Sequence, residues 1–224
     1  MPRLSIIVPT LNEAACITAT LARLQAARRR GHEVIVVDGG SHDRTRRLCE
    51  GSVDRFLVAE RGRAAQMNAG ARSAQGDILL FLHADTLAPQ NVDRHIVAAL
   101  ADRQGWGHFE IRLSGHDPLL RVIERLMNLR SRLSGIATGD QGLFVSRDWF
   151  DALGGFADLP LMEDIVLSKQ LKRRARPCYP GTRLLTSSRR WESGGVVRTV
   201  LRMWGLRAAF FLGVPASRLA GHYD

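Results

Sequence analysis

Three short apolar runs, each followed by polar side chains, constrain the fold more than any other feature of the sequence. They cover residues 4–8, 33–37 and 77–82, and helical spacing of apolar residues follows them over 13–30, 43–50 and 91–102. Strands that are apolar throughout and alternate with helices are typical of a parallel sheet covered on both faces. With a weaker strand over 55–58 and a small-residue helix over 64–74, we predict an open α/β sheet that is mixed, mostly parallel and flanked by helices.

The second half alternates less regularly. We predict strands over 107–113, 142–146 and 183–186, and helices over 119–133, 147–153, 163–174 and 196–212. No internal repeat or low-complexity linker separates the halves, and 224 residues suit one domain. We therefore expect a single domain over 1–224.

The chain is strongly basic. It has 32 Lys and Arg against 22 Asp and Glu, a formal net charge of +10. A solvated arginine surface explains this charge, and an anionic membrane surface, a phosphorylated substrate or nucleic acid are the alternatives. No zinc-finger, RNP or helix-turn-helix pattern supports nucleic acid, so we expect no nucleic-acid partner.

The cysteines and the apolar runs bear on localisation. Cys16, Cys49 and Cys178 lie too far apart for a zinc or disulfide framework, which fits a reducing compartment. No segment has the pattern of a signal peptide or the ~20 apolar residues of a membrane span. We expect a cytoplasmic protein, and peripheral contact with the inner face of the plasma membrane stays open.

Polar residues follow each of the three strong strands, where open α/β sheets bind ligands. They are Pro9, Thr10, Asn12 and Glu13 after the first strand, Asp38 and Gly39 after the second, and His83, Ala84 and Asp85 after the third. Helix capping explains some of them singly, and Asp38 could cap its turn or accept from a ribose or a base. Neither a P-loop nor a G-x-G-x-x-G turn is present in the sequence.

Acidic residues at two places in the sequence are candidates for metal binding or catalysis. Asp85 suits a divalent cation that shares its ligands with substrate phosphates. On a continuing strand His83 shares a face with Asp85, as a second ligand or as a hydrogen-bonding neighbour. Glu163 and Asp164 open a helix, where they either favour the helix N-terminus or supply a general base for an attacking hydroxyl.

These segments resemble family 2 glycosyltransferases of the GT-A fold. The resemblance lies, in order, in P-T-L-N-E (9–13), V-D-G-G-S-H-D-R-T (37–45), G-R-A-A-Q-M-N-A-G (62–70), G-D-I-L-L-F-L-H-A-D (76–85), G-G-F (154–156) and E-D (163–164). Within the family the chain is similar to a compact bacterial subgroup that includes enzymes named for arsenosugar biosynthesis, and distantly to carotenoid-acid glycosyltransferases. The family usually has D-x-D where this chain has His83-Ala84-Asp85.

The resemblance implies a nucleotide-sugar-binding half over 1–105. The donor, by default a UDP-sugar, would be framed by Pro9, Thr10, Asn12, Glu13, Asp38, Gly39, Arg63, Asn68 and Ala84. Asp85, with His83 as a further candidate, would hold Mn²⁺ or Mg²⁺ against the diphosphate. Asp164 would be the base of an inverting displacement.

The acceptor-binding half would cover 106–224. Glu163, Asp140, Gln141, Arg190 and Trp191 would lie near the acceptor, an unidentified small molecule or lipid that presents a hydroxyl or a carboxylate. S-S-R-R-W (187–191) retains the arginine and tryptophan of the Q-x-x-R-W motif of processive members but not its glutamine.

The last predicted helix, 196–212, interleaves arginines with Trp204, Phe210 and Phe211. Such a helix suits an anionic lipid surface, or packs on the sheet with its arginines in water. Two other functions stay open: a non-catalytic nucleotide or nucleic-acid binding module on the same fold, and a nucleotidyltransferase. The sequence does not determine the oligomeric state.

Overall fold

The computed structural model describes residues 2–101 and 104–221, with the side chains of residues 190, 193, 196 and 197 left out. Its larger sheet has the strand order β3-β2-β1-β4-β8-β6. The strands are β1 (Leu4–Thr10), β2 (Glu33–Asp38), β3 (Arg55–Val58), β4 (Ile78–Phe81), β6 (Trp106–Gly107) and β8 (Leu143–Ser146). Strands β3, β2, β1 and β4 are parallel, whereas β8 runs antiparallel to both β4 and β6. This confirms the mixed, mostly parallel sheet that the sequence predicts.

A smaller sheet has the order β5-β9-β7. Its strands are β5 (Thr86–Leu87), β7 (Glu110–Leu113) and β9 (Arg183–Thr186). The prediction of one strand over 107–113 is therefore wrong, because the two ends of this segment join different sheets. The backbone N–H of His108 donates to the Cys178 carbonyl and that of Phe109 to the Gln141 carbonyl, so the chain leaves the first sheet here.

Ten α-helices are described. They are α1 (Ile17–Arg29), α2 (Thr45–Cys49), α3 (Arg63–Ser73), α4 (Val92–Leu100), α5 (Pro118–Ser134), α6 (Arg147–Ala152), α7 (Glu163–Arg174), α8 (Arg189–Gly194), α9 (Val196–Phe211) and α10 (Ala216–Ala220). A 3₁₀ turn covers Gly139–Gln141. The sequence predicts α1 from residue 13, but residues 13–16 form a turn on the Glu13 carbonyl. Helices α8 and α10 and strand β5 were not predicted.

Alternate residues of β1 enter the two cores on the two faces of the larger sheet. Ile6 and Val8 pack with α1 and α4, and Ile7 packs with α3 and α7. Each such side chain contributes about 1.5–3 kcal/mol when it is fully buried. Burial on both faces explains why these strands are apolar throughout.

The second half adds two smaller cores. One joins α9 and α10 to Leu161, Met162 and Ile165 at the start of α7. The other places α5 on β7 through Leu120 and Ile123. Within the described residues, no helix is long and apolar enough to cross a bilayer.

Candidate active site

A cavity of about 860 Å³ opens at the carboxyl ends of β1 and β4. It is lined by eleven of the residues that the sequence singles out: Pro9, Thr10, Glu13, Arg63, His83, Ala84, Asp85, Asp140, Glu163, Asp164 and Trp191. Five others, Asn12, Asp38, Gly39, Asn68 and Gln141, do not line it. The side chain of Arg190 lies outside the described part of the chain.

The loops after β1 and β2 are joined by side-chain hydrogen bonds to backbone. Asn12, in the left-handed conformation at φ 55°, donates its N–H to Ser41 Oγ at 2.8 Å and accepts from the His42 N–H through Oδ1 at 2.9 Å. Thr45 Oγ1 accepts from the Glu13 N–H at 2.9 Å, and Asp43 accepts from the Ala14 N–H at 3.0 Å. These contacts explain the two motifs: their polar residues fix one loop against the other.

Asp38 is buried, and its hydrogen bonds are local. Its carboxylate accepts from the backbone N–H groups of Gly40 and Ser41, from Ser41 Oγ at 2.5 Å and from Thr10 Oγ1 at 3.2 Å. Of the two interpretations that the sequence left open, the structure shows the turn cap.

Gln66, on α3, is a site residue that the sequence analysis missed. It is buried, lines the cavity and donates from Nε2 to the carbonyls of Thr10 and Val37, both at 2.8 Å. Its amide also faces Gly39, where an added Cβ would lie 3.0 Å from Gln66 Oε1. The glutamine inside G-R-A-A-Q-M-N was the available signal.

Asn68, two residues further along α3, points to a different loop. Its amide donates to the Phe156 carbonyl at 2.8 Å and accepts from the Phe156 N–H at 2.9 Å. The Gly154–Phe156 segment is thereby held on α3. The observed contacts of Asn68 are with this loop and not with the cavity.

Asp85 faces the cavity beside Glu13, and Arg189 of α8 contacts both carboxylates. The Arg189 Nη2 atom lies 3.5 Å from Asp85 Oδ2 and 3.3 Å from Glu13 Oε2. Burial and the negative charge of Glu13 raise the pKa of Asp85, while Arg189 opposes the rise. A cation would therefore be favourable next to this carboxylate.

No three His, Cys, Asp or Glu side chains converge to hold a metal ion in the described ranges. The single carboxylate of Asp85 would suit an open site instead, in which phosphate oxygens and water would complete the coordination of a cation. Mg²⁺ is commonly bound in this way.

His83 is not on a continuing strand, so the expected shared face with Asp85 is wrong. β4 ends at Phe81, and the His83 carbonyl closes a turn by accepting from the Thr86 N–H at 3.1 Å. The His83 ring contacts the Arg63 guanidinium. Both groups pack against Gly139, where an added Cβ would overlap them.

Glu163 and Asp164 begin α7 in different surroundings. The residue before them, Met162, is left-handed at φ 69°. Glu163 is 2% exposed, and its Oε1 lies 3.7 Å from Arg63 Nε. Burial and the neighbouring charge of Asp164 raise the pKa of Glu163 to about 7, against the opposing effect of Arg63.

Asp164 is half-buried and lines the cavity. Its Oδ2 accepts from the Gly139 N–H at 2.6 Å, and its Oδ1 accepts from the Ile165 N–H at 2.7 Å. These bonds fix the orientation of the carboxylate, and its negative charge acts to raise the pKa of Arg130 on the same cavity. A fixed carboxylate in a cavity is the geometry that a general base requires.

Gln141 is fully buried beneath this wall. It accepts from the Thr138 N–H at 3.0 Å and donates to Ser131 Oγ at 2.9 Å, which ties the 3₁₀ turn to α5. Asp140 and Trp191, by contrast, line the cavity.

A family model described as glycosyl transferase family 2 matches residues 5–129, more than half of the chain. The chain belongs to glycosyl transferase family 2. The match includes the loops after β1 and β2 and the turn that carries Asp85.

Two relatives indicate how far the family likeness extends. This family 2 chain is 32% identical over 152 residues to an undecaprenyl-phosphate 4-deoxy-4-formamido-L-arabinose transferase of Pseudomonas paraeruginosa, over 62% of the chain and 44% of that protein. It is 31% identical over 193 residues to an uncharacterized glycosyltransferase of Mycobacterium tuberculosis, over 81% of the chain and 72% of that protein. The chain thus spans less than half the length of the Pseudomonas relative.

Solved structures share the fold. A mannosyltransferase from Pyrobaculum calidifontis in complex with GDP-Man and Mn²⁺ superimposes with TM-score 0.66 at 24% identity, over 93% of this chain and 61% of that one. TarS of S. aureus in complex with UDP-GlcNAc superimposes with TM-score 0.68 at 16% identity, over 99% of this chain and 70% of that one. The GT-A fold of this family 2 chain is therefore confirmed.

Proposed function

We propose that the protein transfers a sugar from a nucleotide-diphosphate sugar to an acceptor hydroxyl, with inversion at the anomeric carbon. The observation that carries the proposal is the placement of Asp85 and Asp164 in one cavity at the carboxyl ends of β1 and β4. Family membership and solved relatives in complex with nucleotide sugars support it.

On the donor side, Pro9, Thr10 and Glu13 supply one wall, and Arg63 opens α3 at the opposite wall. The guanidinium and the helix N-terminus both favour a diphosphate. A divalent cation held by Asp85 would offset the charge that develops on the leaving diphosphate. The contact between His83 and Arg63 favours His83 as a hydrogen-bonding neighbour of the cation site over His83 as a ligand of the cation. UDP is the default base, with GDP as the alternative.

On the acceptor side, Asp164 takes the proton of the attacking hydroxyl. The acceptor oxygen forms a bond to the anomeric carbon, and the bond from that carbon to the diphosphate oxygen breaks. The electron pair of the broken bond leaves on the nucleoside diphosphate. A carboxylate acceptor would need no base, so dependence of the rate on Asp164 separates the two acceptor classes.

The helices of the acceptor side also suit a membrane surface. Trp204, Leu201 and Phe211 on α9 are 56–64% exposed, and arginines interleave with them. Apolar side chains with flanking arginines are typical of helices that lie on anionic lipid. We propose peripheral association through this face.

The donor site is tested by thermal denaturation with nucleoside diphosphates, with and without Mn²⁺. A ligand that binds the native state raises its stability by RT ln(1 + [L]/Kd). We expect one nucleotide to raise the Tm of the wild type in a Mn²⁺-dependent way, and Asp85→Ala to lose that dependence. Asp151→Ala, exposed on α6 and outside the cavity lining, is the matched control. The absence of a shift with any nucleotide would favour a non-catalytic module and contradict the proposal.

The base is tested by Asp164→Asn. Because general bases contribute about 10²–10⁴-fold, we expect release of nucleoside diphosphate from the donor to fall at least ~100-fold. The Tm shift with nucleotide should stay within error of the wild type. Asp158→Asn, on the exposed loop before α7, should turn over normally. Near-normal turnover of Asp164→Asn would remove Asp164 as the base.

A further inference from the structure

The cavity continues beyond the catalytic carboxylates into a groove between α5 and α9. From α5 it is lined by Leu126, Leu129 and Leu133, and from α9 by Val200, Met203 and Trp204. None of these side chains carries a charge or a titratable group. The groove is therefore a separate, apolar part of the cavity.

The groove merges with an apolar stripe on the outer surface of α5. Five residues form the stripe and are 50–78% exposed: Leu119, Val122, Leu126, Leu129 and Leu133. Their spacing of three and four residues places them on one face of the helix. An exposed stripe of this kind marks an interaction surface more often than a solvated one.

Two arginines, Arg130 of α5 and Arg207 of α9, line the same cavity. The Nε atom of each is buried and has no hydrogen-bond partner in the part of the chain that the structure describes. Burial, and secondarily the positive charge of Arg207, lower the pKa of Arg130 to about 10, against the opposing effect of Asp140 and Asp164. Two neighbouring guanidinium groups with unsatisfied donors are suited to an anion, because an oxyanion would accept from both and relieve their repulsion.

Arg130 also has a structural contact. Its Nη2 donates to Thr138 Oγ1 at 3.3 Å and to Gln141 Oε1 at 3.4 Å. Arg130 is thus held at the boundary between the apolar groove and the wall that carries Asp164.

We propose that Arg130 and Arg207 bind the phosphate of a lipid acceptor whose apolar chain lies in the groove between α5 and α9. The inference rests on the proposed function and names the acceptor class: a membrane lipid with a phosphate head group and a hydroxyl. The phosphate is the group that is recognised, and the hydroxyl is the group that Asp164 deprotonates. The apolar groove and the two arginines together favour this occupant over a neutral sugar, which matches neither feature.

The test measures binding of decyl phosphate below its critical micelle concentration, by calorimetry, with no nucleotide present. Decyl maltoside has the same alkyl chain without the phosphate, and inorganic phosphate has the anion without the alkyl chain. We expect decyl phosphate to bind at least about tenfold more tightly than either probe, since each subsite adds to the affinity.

Variants distinguish binding of the phosphate by the two arginines from binding of the alkyl chain in the groove. We expect Arg207→Gln and Arg130→Gln each to weaken decyl phosphate about tenfold, the effect of losing one charged contact, and to leave decyl maltoside unchanged. Arg125→Gln, exposed on α5 and outside the cavity lining, is the matched control and should bind within twofold of the wild type. Arg207→Gln removes no described hydrogen bond, so it keeps the test decisive if Arg130→Gln folds poorly.

Equal binding of decyl phosphate and decyl maltoside, or wild-type affinity in both arginine variants, would overturn the inference. So would a dimer that blocks decyl phosphate and dissociates on Trp204→Ser, because the groove would then belong to a second copy of the chain. The thermal-shift experiment with nucleotides reports on the donor site alone. A failure there would contradict the proposed function without changing the outcome of these binding measurements.

Discussion

At the scale of single residues, the environment separates two adjacent acids. Glu163 is buried beside Arg63, whereas Asp164 faces the cavity and accepts from the Gly139 N–H. Neighbouring carboxyls with different surroundings commonly have different roles. Here the first acid forms an ion pair with Arg63, and the second is exposed to the cavity, as the proposed base must be.

The raised pKa of Glu163 predicts a pH-dependent stability. Its pKa is 4.5 in the absence of shifts and about 7 in the folded chain, so the folded state binds more protons between these values. The wild type therefore loses stability from this group as the pH rises through that window, by about 1.4 kcal/mol per unit of pKa difference. Glu163→Gln is neutral throughout, so we expect its free energy of unfolding to rise relative to the wild type between pH 5 and pH 8.

Urea denaturation at the two pH values measures this difference. Glu60→Gln, at an exposed position, is the control and should show no such trend. A difference between Glu163→Gln and the wild type that is constant from pH 5 to pH 8 would show that Glu163 ionises normally.

The site residues differ in how well the sequence predicts them. Asp85 and Asp164 were singled out because they follow a strand end and begin a helix, and the structure places both on the cavity wall. Asn12 and Asp38 were found for the same reason, yet Asn12 binds the loop after β2 and Asp38 caps its own turn. A sequence shows that a polar group is present at an edge, but its hydrogen-bond partner depends on the packing of distant segments.

At the scale of elements, local patterns predicted helices and buried strands well and the short connecting pieces poorly. The segment 107–113 has the composition of one strand, but the carbonyl of Cys178 would collide with a Cβ at Gly107 and a backbone bond from His108 reaches the same carbonyl. β5 has two residues and depends on pairing with β9, 100 positions away. Such elements are determined by long-range contacts that no local periodicity encodes.

Helix α9 contains a glycine whose replacement by alanine is expected to stabilise the chain. Gly205 lies inside the helix, away from positive φ, and an added Cβ would meet no atom within 4 Å. Because glycine in a helix interior costs about 0.5–1 kcal/mol relative to alanine, we expect Gly205→Ala to stabilise the chain by about that amount.

Thermal denaturation followed by circular dichroism measures this effect. Gly213→Ala is the opposite control: its surroundings are also open, but its φ of 90° strains any side chain, so it should lower the Tm. Destabilisation by Gly205→Ala would show that α9 packs more tightly around this position than the structure indicates.

At the scale of the whole molecule, most of the exposed large apolar side chains in the described part of the chain lie on two helices, α5 and α9. The net charge of +10 is carried largely by arginines, and α5 and α9 present both arginines and exposed apolar residues. Coulombic attraction to anionic lipid adds about 1 kcal/mol per basic residue near the surface and is screened by salt. Co-sedimentation with phosphatidylglycerol vesicles should therefore fall steeply between 0.1 and about 0.5 M NaCl.

Co-sedimentation also distinguishes insertion of apolar side chains into the bilayer from electrostatic attraction alone. Trp204→Ser should weaken vesicle binding at every salt concentration, because the indole is 59% exposed on the apolar face. Val58→Ser, 67% exposed on the remote edge strand β3, should not. Equal loss in both variants, or equal binding to phosphatidylcholine vesicles, would contradict a specific membrane face.

The interlocked loops after β1 and β2 have a consequence for how such chains can diversify. Their side-chain hydrogen bonds join residues 12–14 to residues 41–45, and the groove is built from α5 and α9. The two halves of the cavity therefore share few hydrogen bonds that a substitution in α5 or α9 would break. If the proposed function holds, we expect that exchanging α5 and α9 between relatives changes which acceptor is used and leaves nucleotide binding intact.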